Sequence, residues 1–123
     1  MFSKNTEKLE SFVGSNSHFK GDIDTKGTLR VDGIVDGNVT ADWVILGEKS
    51  HIKGDVAARG IVIGGRIDGN LKAKEIVEIK SKGQVFGDIL TGKLSIAEGG
   101  IFEGKSSMHR EESKIIEFQT FSR

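Results

Sequence analysis

The 123-residue sequence predicts an all-β, single-domain β-solenoid. Three observations carry that prediction. A short phrase recurs along the chain, apolar and polar residues alternate within and between its copies, and 17 Gly stand beside no Pro. Proline removes a backbone donor and is kept out of interior strands, so a chain built mostly of interior strands avoids it. Abundant Gly without Pro is also not the composition of a disordered linker.

The elements follow in order. The first copy is Phe19-Lys20-Gly21-Asp22-Ile23, followed by the apolar pair Leu29/Val31. The second is Val35-Asp36-Gly37-Asn38-Val39, followed by Val44/Leu46. The third is Ile52-Lys53-Gly54-Asp55-Val56, followed by Ile61/Ile63. Ile67-Asp68-Gly69-Asn70-Leu71 and Val77/Ile79 make the fourth, and Val85-Phe86-Gly87-Asp88-Ile89 and Leu94/Ile96 the fifth. A worn sixth copy, Phe102-Glu103-Gly104-Lys105-Ser106, ends the series. The glycines at 21, 37, 54, 69, 87 and 104 are spaced by 16, 17, 15, 18 and 17 residues.

A period of two means strand, and no helical stripe interrupts the series. The units are too short for a βαβ crossover or a propeller blade. About 17 residues fit one coil with three sides of about five to six residues each, stacked about 4.8 Å apart in parallel. Val35, Ile52, Ile67 and Val85 then form one inward file, flanked by Phe19 and Phe102 at its ends. Ile23, Val39, Val56, Leu71 and Ile89 form a second. The Gly between the files answers either a corner with no room for a side chain or a need for positive φ. The next position alternates Asp22, Asn38, Asp55, Asn70, Asp88. Alternation separates like charges to about 9.6 Å, beyond a physiological Debye length, and offers amide donors to carboxylate acceptors.

These residues resemble the bactofilins. The resemblance runs from about Phe12 to Gly104 and rests on "FVGSNSHFKGDI", "LRVDGIVDGNV", "IGGRIDGNLKA" and "IAEGGIFEG". It implies a right-handed parallel β-helix of triangular cross-section, with about six coils of ~17 residues. It also implies polymerisation without nucleotide into non-polar filaments. It further implies peripheral attachment to the inner face of the cytoplasmic membrane and scaffolding of cell-envelope or morphogenetic proteins. The expected organisation is an N-terminal tail over 1–11, a β-helix domain over 12–106 and a C-terminal tail over 107–123.

Physics points the same way. A solenoid ends in open strand edges, and its coil-to-coil stacking can continue from subunit to subunit unless the ends are capped. Phe19 in the first coil and Ile101 and Phe102 in the last are the expected assembly contacts. The alternative is that "KIIEFQTF" (114–121) folds back as a cap. Met1, Phe2, Ser3 and Lys4 resemble the short membrane-targeting starts of many bactofilins, with apolar residues for the interface and a lysine for anionic headgroups. Glu7 and Glu10 offset Lys4 and Lys8, so such an anchor would act through many copies on a filament.

Composition excludes other classes. Eighteen basic and 18 acidic residues cancel, which argues against binding nucleic acid. The absence of Cys rules out disulfides and thiolate metal sites and suits a reducing cytoplasm. No apolar run approaches the roughly 20 residues that span a bilayer. The spacing does not hold the strict six-residue phase of hexapeptide acyltransferases. His18, His51 and His109 are too scattered for a metal centre, and carboxylate pairs such as Asp22/Asp24 and Asp32/Asp36 read as solvated corners. No catalytic residue, cofactor or nucleotide site is expected, and the chain is read as no enzyme. The competing reading is a soluble β-solenoid module that binds glycan or protein through Trp43 or the C-terminal tail. Trp43 itself reads first as a packed corner residue.

Overall fold

A computed structural model describes residues 9–109 and 115–116. Its first strands are β1 (Leu9–Val13), β2 (His18–Lys20), β3 (Ile23–Asp24), β4 (Thr28–Val31), β5 (Ile34–Asp36), β6 (Val39–Thr40), β7 (Trp43–Leu46) and β8 (His51–Lys53). Then follow β9 (Val56–Ile63), β10 (Arg66–Asp68), β11 (Leu71–Ile79), β12 (Gln84–Phe86) and β13 (Ile89–Thr91). β14 (Leu94–Ile96), β15 (Ile101–Glu103), β16 (Ser106–His109) and β17 (Ile115–Ile116) complete the series. β1 starts inside the segment expected as N-terminal tail, and β17 lies within the expected C-terminal tail.

Each coil has three sides. The first side carries β2, β5, β8, β10, β12 and β15, stacked in that order as a six-stranded sheet. The second carries β3, β6, the front halves of β9 and β11, β13 and β16. The third carries β1, β4, β7, the rear halves of β9 and β11, and β14. β9 and β11 turn the corner between second and third sides without a break, with a register shift between Ala73 and Ile76. That continuity merges those two sides into an 11-stranded sheet. All pairing is parallel except that of β16 with β17, so the chain is a parallel β-solenoid.

The repeat sets the register. Phe19, Val35, Ile52, Ile67, Val85 and Phe102 stand directly over one another on the first side. Val35, Ile52, Ile67 and Val85 are fully buried. Ile23, Val39, Val56, Leu71 and Ile89 form the file on the second side. All but Ile23 are buried, and Ile23 packs partly buried against the core. The third side supplies two files, one led by Leu29 and Val44, the other by Val31 and Leu46. Each buried Val, Leu or Ile contributes about 1.5–3 kcal/mol relative to exposure, and stacking makes that burial continuous from coil to coil.

Both readings of the glycine column hold at once. Gly54 and Gly69 sit at φ +156, where an L side chain is strained. A Cβ on Gly54 would also overlap the carbonyl oxygen of Gly37, and one on Gly69 that of Gly54. Gly21 differs, for it has φ +131 but no coil before it and no such overlap.

The Asx column does something other than the lateral amide-to-carboxylate bonding expected of it. The Oδ1 of each residue accepts the main-chain N–H of the corresponding residue one coil on. Asn38 N–H donates to Asp22, Asp55 to Asn38, Asn70 to Asp55 and Asp88 to Asn70, each at 2.9 Å. Lys105 N–H closes the series on Asp88 at 3.1 Å. Asp and Asn offer the same oxygen, so either satisfies a donor that the tight corner takes out of the regular ladder.

The larger part of the unequal steps arises at the corner between third and first sides, and a one-residue difference at the corner between second and third sides supplies the rest. Where a step is 17 or 18 residues, a four-residue turn fills this corner, as in Ser50 N–H to Gly47 O at 3.1 Å and Gly83 N–H to Lys80 O at 2.9 Å. The steps of 16 and 15 have only Asp32-Gly33 and Gly64-Gly65 there. Gly33 and Gly65 nestle inside the turns of the preceding coil, and a Cβ on either would strike its carbonyls.

Candidate functional site: the two ends of the solenoid

The interior coils leave no main-chain edge unpaired, so the free hydrogen-bonding groups collect at the ends. Among the described residues at the N-terminal end, β2 and β3 each pair on one side only, and β1 covers just the third side. Among the described residues at the C-terminal end, β14 and β15 each pair on one side only, while the edge of β16 pairs antiparallel with β17. Part of the segment expected as a possible cap therefore does lie on the last coil, over one side of three. Its other residues lie outside the described ones.

Side chains follow the same division. Among the described residues the large apolar side chains that stay exposed are Phe12, Phe19, Ile96, Ile101 and Met108, from 36% to 59% exposed. Every one is on the outermost parallel strand of its side, β1, β2, β14, β15 or β16. Phe19, Ile96 and Met108 are open ends of inward files, as is half-buried Phe102. Ile101 stands over Gln84 on the outward phase, at the rim rather than in the file. Ile96 and Met108 were not singled out from sequence. The signal was present for Ile96, since it closes a series of apolar pairs that has no successor. Met1, Phe2, Ser3 and Lys4 lie outside the described residues.

The flanks are polar and internally paired. Lys20, Asp36, Lys53 and Asp68 stack on the outer phase of the first side with alternating charge. His18 Nε2 meets Asp36 Oδ2 at 2.9 Å, and His51 Nε2 meets Asp68 Oδ2 at 2.7 Å. The His18 hydrogen bond holds the Asp36 carboxyl below the usual carboxylate range, and Arg66, helped by His51, does the same for Asp68. On the corner between second and third sides Arg59 bridges Asp42 at 2.9 Å and Glu75 at 3.1 Å, linking three successive coils. That pairing lowers Asp42 and raises Arg59 above its ordinary value. Trp43 lies against Gly60, where any Cβ would enter its ring, with the Arg59 guanidinium 5.8 Å from the ring centroid. One face of its ring is thus packed against the next coil. A groove of about 590 Å³ runs along the second side beside the Asx column, past Thr40, Ala57, Lys72 and Leu90. Among the described residues no three His, Asp or Glu gather as metal ligands.

A stack of near-identical coils with apolar, hydrogen-bond-hungry ends is the architecture of a class of structural, polymer-forming proteins. A family model described as "Bactofilin: Polymer-forming cytoskeletal" matches residues 11–107. The chain belongs to the bactofilin family. It is 29% identical over 110 residues to Bactofilin BacO of Myxococcus xanthus (strain DK1622), covering 89% of this chain and 87% of that one. Its fold is similar to that in a cryo-EM reconstruction of Thermus thermophilus bactofilin double helical filaments. There the TM-score is 0.69 at 24% identity, over 78% of this chain and 96% of the other.

Proposed function

We propose that this chain polymerises end to end, without nucleotide, into non-polar filaments that lie at the inner face of the cytoplasmic membrane and organise cell-envelope or cell-shape proteins. Its family is cytoskeletal and polymer-forming. The observation that carries the finer reading is the confinement, among the described residues, of exposed apolar side chains and unpaired strand edges to the two ends. Phe19 would make the contact at one end, and Phe102 with Ile96, Ile101 and Met108 at the other. A non-polar filament joins like ends, so each junction brings strands together antiparallel. Met1, Phe2, Ser3 and Lys4 would tether the polymer, each copy weakly and the filament firmly through avidity.

Electron microscopy of Phe102→Arg in plain buffer tests the assembly reading. The expected result is a folded protein that makes no filaments, and filaments like those of the parent chain would refute end stacking. Pelleting with anionic liposomes, with and without residues 1–8, tests the tether. The groove on the second side favours a second reading, a module that binds an elongated partner along its flank. A protein that stays monomeric at high concentration would favour it.

A further inference from the structure

The C-terminal end is a spiral step, and its shape prescribes how a second copy fits. Going round the end, the last parallel strands are β14 on the third side, β15 on the first and β16 on the second. The single step falls at the corner between second and third sides, where β16 stands highest and β14 lowest. A two-fold axis across the middle of the first side exchanges the other two sides. It sets β15 against its own copy, and β16 of each subunit over β14 of the other. The high side of each step then fills the low side of its partner. All three junction pairs come to one strand spacing, about 4.8 Å, with strands antiparallel.

β17 stands in that place. It pairs antiparallel with β16, Met108 opposite Ile116 and His109 opposite Ile115. It therefore occupies the edge that the inverted copy's β14 needs, and runs in the direction which that strand would take. With β17 in place the second side is one strand too tall, and the other two sides cannot close. We propose that β17 is a detachable cover of the C-terminal junction, a stand-in for the second copy that must leave before tail-to-tail joining occurs. This rests on the end-to-end reading above and adds to it a competition between cover and partner for one strand edge.

The chain has no cysteine, so a single engineered pair can lock the cover. His109→Cys with Ile115→Cys places two thiols at directly opposed positions of an antiparallel pair, away from the end contacts named above and within disulfide reach. The oxidised full-length variant is expected to stop at dimers joined through their N-terminal ends. Adding reductant is expected to restore filaments, which also shows that the variant is folded. Filaments formed equally well by the oxidised and reduced protein would overturn the cover and leave end stacking intact. A reduced variant and a parent chain that both fail to polymerise would overturn end stacking, and the cover with it. A second variant, Ile115→Pro with Ile116→Pro, weakens the cover by removing both main-chain donors of β17. Its critical concentration is expected to fall roughly fivefold or more, from the loss of one or two competing hydrogen bonds. An unchanged value would count against the competition.

Discussion

The interior coils and the end coils are made from the same phrase, yet they hold their residues by different means. In the middle, a residue such as Ile67 has a like neighbour above and below, and is fully buried. At the ends the same file terminates in Phe19, 40% exposed, and in half-buried Phe102. Position in the repeat therefore does not fix a residue's burial, because a neighbouring coil on both sides is also required. Interior positions are constrained by contact with copies of themselves, whereas end positions hold surface that the chain leaves unused.

The glycine column tests that contrast most strongly. Gly69→Ala combines positive φ with overlap on the coil before it, and is expected to cost about 3 kcal/mol or more. Gly21→Ala meets only the strained backbone, and about 1 kcal/mol is expected. Urea unfolding of the two variants, under conditions that hold the protein unassembled, measures both. Equal losses would mean that stacking adds nothing to the corner.

The Asx column comes next. Asn38→Asp with Asn70→Asp keeps every Oδ1 acceptor and adds only charge, leaving five carboxylates in a row. Adjacent charges repel by about 1 kcal/mol per pair in water. The double change creates four such pairs, and with screening to about half at about 0.1 M salt a loss on the order of 2 kcal/mol is expected, larger at lower salt and shrinking towards zero at high salt. A loss independent of salt would show that the amide donors matter after all.

The smallest effect is acid sensitivity of the paired flanks. Asp36, Asp42 and Asp68 have carboxyls lowered by His18, by Arg59 and by Arg66 with His51. Lowered groups stabilise the fold above the unfolded value of about 3.9, and that support is lost as pH falls through the lower folded value. The melting temperature should hold from neutral pH down to the ordinary carboxylate range and then decline gently. These groups are surface-exposed, so solvent screens most of the gain. A decline that begins near pH 6 would show that groups other than these carboxyls set it.

Much of the architecture is legible in the sequence because stacking imposes identity. Ile52, Ile67 and Val85 can share a file only if they recur at coil spacing, so the files, the three sides and the glycine corner can all be read from spacing. What spacing does not carry is chemistry that two residue types perform alike. The Oδ1 bond to the next coil is the same from Asp22 as from Asn38, so the alternation reports charge and hides the ladder. The uneven steps look like noise until the two-residue and four-residue corners are seen. β17 has only two residues and no periodicity, and its pairing with Met108 and His109 depends on a chain reversal that no repeat encodes. Among the end residues, Phe19 and Phe102 stand out by size. Ile96 is inconspicuous because an interior copy of it would look the same.

Lys105 has a consequence beyond its corner. It stands where every earlier coil carries Asp or Asn, and its N–H takes the last bond of the series while its side chain offers no oxygen to a coil beyond. Stacked windings have no inherent stopping point, and a string of them could be of any extent. A cation at this position writes a full stop, so that the end-to-end polymer proposed above is counted in whole molecules and its seams recur at a fixed interval, like the marks on a ruler.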